Sequence, residues 1–134
     1  MNERVPVATY MTSGPHTIGA DQPVTKAREL LRELGIRHLP VLRGGRLDGM
    51  ISERDLALIE QLDLNAERLT VEDAMSPDVY AVPPTALLAD VALEMAARKL
   101  GSAVVVEHGA VVGILTTVDV CAALGELLFG RLRS

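Results

Sequence analysis

Two heptapeptides hold the residue types best suited to chemistry: Gly49-Met50-Ile51-Ser52-Glu53-Arg54-Asp55 and Gly113-Ile114-Leu115-Thr116-Thr117-Val118-Asp119. Both read glycine, two apolar residues, a hydroxyl residue, and an aspartate three positions on. That order marks a strand turning into a helix, and it permits two kinds of chemistry. The first is local. Ser or Thr followed three residues later by an acid forms a capping box, contributing roughly 1 kcal/mol to helix stability. The second is recognition. A helix N-terminus presents unpaired N–H groups and a partial positive charge, which suits phosphate. A carboxylate one turn in can accept both hydroxyls of a ribose, and the Ser or Thr hydroxyl can reach sugar or phosphate. The two uses do not exclude each other, and one such heptad alone favours the cap.

Other reactive residues offer less. His16, His38 and His108 match no metal-ligand spacing and have no cysteine pair beside them. His108 reads as a solvated turn residue, whereas His38 is divided between a phosphate contact and plain surface. Cys121, flanked by Ala122 and Ala123, is expected to be a buried small residue and not a nucleophile. Glu29 and Glu33 lie one helical turn apart and mark an exposed face. The methionines at 11, 50, 75 and 95 read as core, and Arg131 and Arg133 as solvated tail. With no nucleophile–base constellation, the chain is not expected to be an enzyme.

The elements that position the heptads come from a duplication. Sliding the sequence by 64 residues sets Met11 on Met75, Val41 on Val105, Gly45 on Gly109, Gly49 on Gly113 and Asp55 on Asp119, without a gap. Each copy opens with a short strand, over residues 16–18 and 79–82. A helix follows, with Asp21 or Thr85 as candidate N-cap. Val24, Ala27, Leu30, Leu31 and Leu34 recur at helical spacing in the first copy; Leu88, Val91, Ala92 and Met95 do so in the second. Apolar runs at 39–42 and 103–106 predict buried strands. The turns at 43–46 and 107–110 reverse them into strands over 47–51 and 111–115, a hairpin pattern. A second helix closes each copy, over 52–62 and 116–129. The chain therefore reads as an α/β (α+β) protein of two β-α-β-β-α units, residues 1–64 and 65–134. Such a unit leaves one sheet face or edge poorly covered, and pairing about a pseudo-twofold axis would bury it.

Composition narrows the class. An apolar content of 49% with 23% charged residues fits a folded globular chain, not a disordered one. No apolar run approaches the ~18 residues of a membrane span, no secretory leader is evident, and one cysteine allows no internal disulfide. The expected location is therefore the cytoplasm. A net charge of −5 and the near absence of aromatics argue against a nucleic-acid surface. Residues 1–64 carry 8 basic and 9 acidic side chains and residues 65–134 carry 5 and 9, so a bound phosphate is favoured in the first copy.

The succession of Met11-Thr12, Gly35-Ile36-Arg37-His38-Leu39-Pro40-Val41, Gly44-Gly45 and Gly49 to Asp55 resembles a CBS domain, named for cystathionine β-synthase. The stretch from Val71 through Met75-Ser76-Pro77, Leu100-Gly101-Ser102-Ala103 and Gly113 to Asp119 resembles a second copy. The resemblance spans residues 3–129, and two tandem copies make a Bateman module, many of which bind adenosine nucleotides in two clefts between the repeats. It implies that Asp55 and Asp119 each hold a ribose, assisted by Ser52 and Thr116. By the same resemblance the Asp55 cleft would include Arg37, His38, Ser52 and Arg54, with Ala81, Leu100 and Gly101 on the base side. The Asp119 cleft would include Gly101, Ser102 and Thr116, with Thr17, Ile18, Ile36 and Arg37 opposite.

The two clefts are unequal. Basic Arg37-His38 precedes the first Leu-Pro-Val strand, but Gly101-Ser102 stands in the second copy, with Val104 where proline is usual. The implied function is regulatory sensing of AMP, ADP or ATP, with NAD and S-adenosylmethionine as further adenosine-bearing candidates. The signal would pass to an effector protein in trans. A homodimer is expected through the Leu56, Ile59, Leu62 and Leu124, Leu127, Leu128 stripes. The alternative is a ligand-free dimerisation scaffold, against which the cations Arg37, His38 and Arg54 argue.

Overall fold

A computed structural model describes residues 4–133, with side chains described through residue 130; Arg131 and Arg133 thus lie outside the described side chains. The elements in order are a 3-10 turn Val7–Thr9, β1 (Thr12–Ser13), β2 (Ile18–Gly19), α1 (Val24–Leu34), β3 (His38–Arg43), β4 (Arg46–Ser52) and α2 (Glu53–Gln61). There follow a 3-10 turn Ala66–Arg68, α3 (Val71–Ala74), β5 (Ala81–Val82), α4 (Leu88–Arg98), β6 (Ser102–Glu107), β7 (Ala110–Thr116) and α5 (Thr117–Arg133). The mixed α+β class read from the sequence holds. The opening strands of the two copies are shorter than expected.

The chain divides into two compact units. One is His16–Val79; the other joins the chain up to Pro15 to the chain from Tyr80 on. Each repeat thus lends its first dozen residues to the unit that houses the other repeat's sheet, so the compact units do not divide at residues 64 and 65.

In the His16–Val79 unit the sheet order is β2-β3-β4, with β2 parallel to β3 and β3 antiparallel to β4. The β3–β4 hairpin turns on Gly44 and Gly45, at φ +58° and +79°. Two consecutive left-handed residues are what a tight hairpin matched to strand twist requires. α1 buries Val24, Ala27 and Leu31, and α2 buries Leu56 and Ile59, against Leu39, Val41 and Ile51 of the sheet. Val71 of α3 completes this core and is fully buried. Closing off a valine in this way contributes roughly 1.5–3 kcal/mol. Backbone bonds fasten the segment: Val24 N–H donates to Leu69 O at 3.0 Å, Val71 N–H to Gln22 O at 2.8 Å, and Glu72 N–H to Ala20 O at 3.0 Å.

The second unit repeats the scheme with one strand more, because the segment lent to it pairs as β1. Its sheet runs β1-β7-β6-β5. Its hairpin turns on His108 and Gly109, at φ +54° and +81°. Its core gathers Val82, Leu88, Val91, Met95, Ala103, Val105 and Leu115 around fully buried Val7. Leu88 N–H donates to Val5 O at 2.7 Å, Val7 N–H to Ala86 O at 2.8 Å, and Ala8 N–H to Pro84 O at 3.2 Å. These are the bonds of the first unit, shifted by one repeat.

Three sequence expectations are corrected. Asp21 and Thr85 are not N-caps: α1 and α4 begin after Pro23 and Leu87, without a side-chain cap. The first N–H of each helix bonds to a carbonyl of the lent segment, which satisfies one of the four N–H groups that a helix start leaves open. The expected dimer stripe on α2 also changes. Leu56 and Ile59 lie in the core at 6% and 5% exposure, while Leu58 and Leu62 are the exposed residues. Cys121 is exposed, not buried. Leu124, Leu127 and Leu128 are exposed as expected, with Val118 and Phe129.

Candidate functional site

Both heptads fold as the strand-to-helix turns that their pattern predicts. Ser52 ends β4 in extended conformation and caps α2. Its hydroxyl accepts from Asp55 N–H at 3.2 Å and donates to Asp55 Oδ2 at 3.0 Å, and its N–H donates to the same Oδ2 at 2.7 Å. Thr116 and Asp119 reproduce this at the start of α5. Thr116 N–H and Oγ1 donate to Asp119 Oδ2 at 2.8 and 3.1 Å, and Asp119 N–H donates to Thr116 Oγ1 at 3.4 Å. The capping chemistry is therefore real in both copies. Nor is the acid's part special to them: Thr70 N–H and Oγ1 donate to Asp73 Oδ2 at α3, at 2.9 and 3.0 Å, although Asp73 N–H there bonds to Thr70 O.

What sets the heptads apart is the segment in front of β3 and β6. Glu53 N–H donates to Arg37 O at 3.0 Å, and Thr117 N–H donates to Gly101 O at 3.1 Å. Thr117 Oγ1 donates to Gly101 O as well, at 3.1 Å. These bonds fix Arg37 and Gly101 against the helix starts. They also engage most of the helix terminus. Of the four N–H groups that a helix start leaves without intrahelical partners, three at α2 are taken: by Arg37 O, by Asp55 Oδ2 and by Ser52 Oγ. An anion here would meet side chains and the helix dipole more than a ring of open amides.

The side chains gathered at α2 are those singled out in the sequence. His38 opens β3 directly opposite Ser52 in the ladder, as Ser102 stands opposite Thr116. Burial, helped by the Arg37 charge, holds the His38 imidazole below its usual pKa, while Asp55 and Glu53 pull the other way. His38 is thus neutral at pH 7, offering a hydrogen bond and not the charge expected of it. Arg37 is well exposed and lies 3.9 Å from Glu53 Oε2. A pair so solvated contributes little, which leaves the guanidinium available to a stronger anion. Arg54 is exposed on the first turn of α2.

The remaining sequence candidates divide by burial. Ile18 pairs with Val41 and is 5% exposed, so its side chain serves the core. Ile36 packs against that core and, with Arg37, lines an open groove between α1 and α2. Thr17 lies instead beside Arg43, Gly44 and Gly45, at the hairpin end of its sheet. In the other unit Ala81 is exposed next to Val104, Leu100 packs on the core, and Gly101 and Ser102 are partly buried.

Two features escaped the sequence reading. Gly49 and Gly113 are needed for close approach: a Cβ on Gly49 would fall 2.8 Å from Ser76 O and meet Met75, and one on Gly113 would overlap Met11. Thr12 Oγ1 donates to Asp119 Oδ1 at 3.4 Å, a contact with no counterpart at Asp55 among the described residues. The Met11–Met75 equivalence was the available signal for the first; nothing in the sequence pointed to the second.

A family model for the CBS domain matches residues 7–60 and again 71–126. The chain belongs to the CBS-domain family. As a tandem CBS pair it is 31% identical to a candidate acetoin utilization protein (AcuB) from Vibrio cholerae, over 97% of each chain, with a TM-score of 0.87. The CBS pair of MJ0100, solved with 5-methylthioadenosine and S-adenosyl-L-methionine, is 25% identical over 91% of this chain and 97% of its own, at TM-score 0.83. CBSX2, solved with AMP, is 29% identical over 91% and 97%, at 0.80. The CBS domain-containing protein YhcV of Bacillus subtilis is 26% identical over 94% of this chain and 85% of its own length. An inosine-5′-monophosphate dehydrogenase of Korarchaeum cryptofilum is 34% identical over 105 residues, 78% of this chain but only 21% of that enzyme.

Among the described residues no cluster of three or more His, Cys, Asp or Glu could hold a metal. Nor is any described helix long and apolar enough to cross a membrane.

Proposed function

We propose that this CBS pair is a regulatory sensor of an adenosine nucleotide, AMP in the first instance, and that it signals to a partner protein in trans. The observation that carries the reading is the state of Asp55. Its Oδ2 takes both bonds of the capping box, while among the described residues none donates to its Oδ1, and His38 lies close enough to feel its charge. A carboxylate so oriented by its own cap, with a free oxygen, is suited to a pair of sugar hydroxyls. Arg37 and Arg54 supply the charge for a phosphate, with His38 as a neutral donor. Asp119 has Gly101 and Ser102 in place of those groups, which favours a neutral adenosine moiety there. The AMP held by CBSX2 supports the ligand class.

A thermal-shift screen with AMP, ADP, ATP, NAD and S-adenosylmethionine tests this. AMP should raise the melting temperature of the wild type, and Arg37→Ala should diminish the AMP shift without diminishing the adenosine shift. Equal loss for both ligands would remove the phosphate role of Arg37.

A second reading has its own support. Val118, Leu124, Leu128 and Phe129 expose 76%, 57%, 47% and 58% of their surface along α5. Such a face suits self-association into a homodimer, and a scaffold would need no ligand. Light scattering reads it: a dimer mass together with no thermal shift from any of the five compounds would favour the scaffold.

A further inference from the structure

We infer that Thr12 is a built-in competitor for the Asp119 carboxylate, so that ligand at Asp119, but not at Asp55, must share or displace the β1 segment. The inference rests on the proposed role of the two aspartates as ribose acceptors. It begins from the near identity of the two turns. Each Oδ2 takes two bonds from its capping residue, at 2.7 and 3.0 Å for Asp55 and at 2.8 and 3.1 Å for Asp119. The lent segments also dock alike. Thr12 pairs with Ile114 on β7, and Ser76 exchanges backbone bonds of 2.9 Å in both directions with Met50 on β4. The difference is one side chain. Thr12 donates to Asp119 Oδ1 at 3.4 Å, whereas Ser76 donates nothing to Asp55.

Lone-pair counting gives the consequence. An ionised carboxylate offers about four acceptor sites. Each capping box uses two on Oδ2, so Asp55 keeps two for a cis-diol. Asp119 keeps one unless Thr12 withdraws. The contact is long and exposed, so it is weak and displaceable by a better donor. The segment that would be released is β1, two residues long and preceded by Met11, which is seated on Gly113. Occupancy of Asp119 would therefore loosen the start of the chain, giving this site a structural readout that Asp55 lacks.

The experiment has a ligand arm and a ligand-free arm. Calorimetric titration of adenosine and 2′-deoxyadenosine is run on Asp55→Ala, which isolates Asp119, with and without Thr12→Val. Valine keeps the β-branched shape that suits a strand and removes the donor. Thr12→Val should tighten adenosine about threefold to tenfold and widen its preference over 2′-deoxyadenosine; Ser76→Ala on an Asp119→Ala background should change neither. In the second arm, Thr12→Val should lower the melting temperature of the otherwise wild-type protein by one to three degrees, and by nothing in Asp119→Ala. Adenosine binding that Thr12→Val leaves unchanged or weakens overturns the inference alone, as does equal destabilisation in both backgrounds. Absence of adenosine binding in the wild type and every variant overturns the ribose reading and the competition with it.

Discussion

Gly49 and Gly113 occupy equivalent positions, yet replacing them by alanine should have unequal costs. A Cβ on Gly49 would meet Ser76 O at 2.8 Å as well as the Met75 side chain. Met75 can swing aside, because a thioether chain is adaptable. The Ser76 carbonyl cannot: it accepts from Met50 N–H at 2.9 Å while Ser76 N–H donates back to Met50 O at 2.9 Å. Relieving the overlap strains or breaks that pair, at about 0.5–1.5 kcal/mol for each bond, in addition to about 1 kcal/mol or more of overpacking. Gly49→Ala should therefore cost about 2–4 kcal/mol, a large share of the 5–15 kcal/mol that a typical domain has. At Gly113 the three nearest atoms all belong to the Met11 side chain, so Gly113→Ala should cost about 1 kcal/mol. Urea denaturation followed by circular dichroism measures both. Met11→Ala should relieve most of the Gly113→Ala cost, while Met75→Ala should relieve little of the Gly49→Ala cost. Equal costs at the two glycines, or full rescue of Gly49→Ala by Met75→Ala, would refute the reasoning.

Two further predictions concern local conformation and pH. Lys99 ends α4 at φ +55°, where the equivalent Gly35 ends α1 at φ +63°; Lys99→Gly should stabilise the protein by about 1 kcal/mol, measured as a higher urea midpoint. Burial and Arg37 lower the His38 pKa, and Asp55 and Glu53 only partly oppose this. The unfolded chain therefore binds the proton more readily. The stability His38 provides is present above about pH 6.5 and is lost as the pH falls through its lower folded value. Melting temperature should fall between pH 7 and 5, and His38→Gln should flatten that fall; an unchanged slope would remove His38 as its source.

The sequence made the repeat, the hairpins and the capping turns legible because each is local. Gly44-Gly45 and His108-Gly109 adopt the left-handed turn that short hairpins need, and Ser52 and Thr116 cap as their spacing to Asp55 and Asp119 implies. The exchange of opening segments was not legible. A shift by one repeat maps Val7 onto Val71 and Met11 onto Met75 whether each packs on its own sheet or on the other repeat's. The apolar pattern is the same in both cases. That blind spot also hid the true start of α1 and α4, whose first N–H groups meet Leu69 O and Val5 O of the lent segments. Leu56 and Ile59 illustrate a second limit, since spacing marks an apolar stripe without saying whether a core or a partner covers it. Cys121 beside two alanines gave a small-residue face with no indication of side, and it is exposed. At the site, residue types brought Arg37, His38, Ser52, Arg54 and Asp55 to one turn, but the neutral state of His38 depends on burial that the sequence does not display.

The central claim is that Asp55, held by its cap, grips the sugar of an adenosine nucleotide. Calorimetric titration of AMP into the wild type and Asp55→Ala tests it most directly. Hydrogen bonds to a charged group contribute about 1.5–3 kcal/mol each, so the loss of Asp55 should weaken AMP about tenfold or more. Ser52 remains to cap α2, so the variant should stay folded. Saturable AMP binding by the wild type with that loss is the predicted result. Equal affinity in the two proteins, or no heat from either at millimolar AMP, would contradict the account.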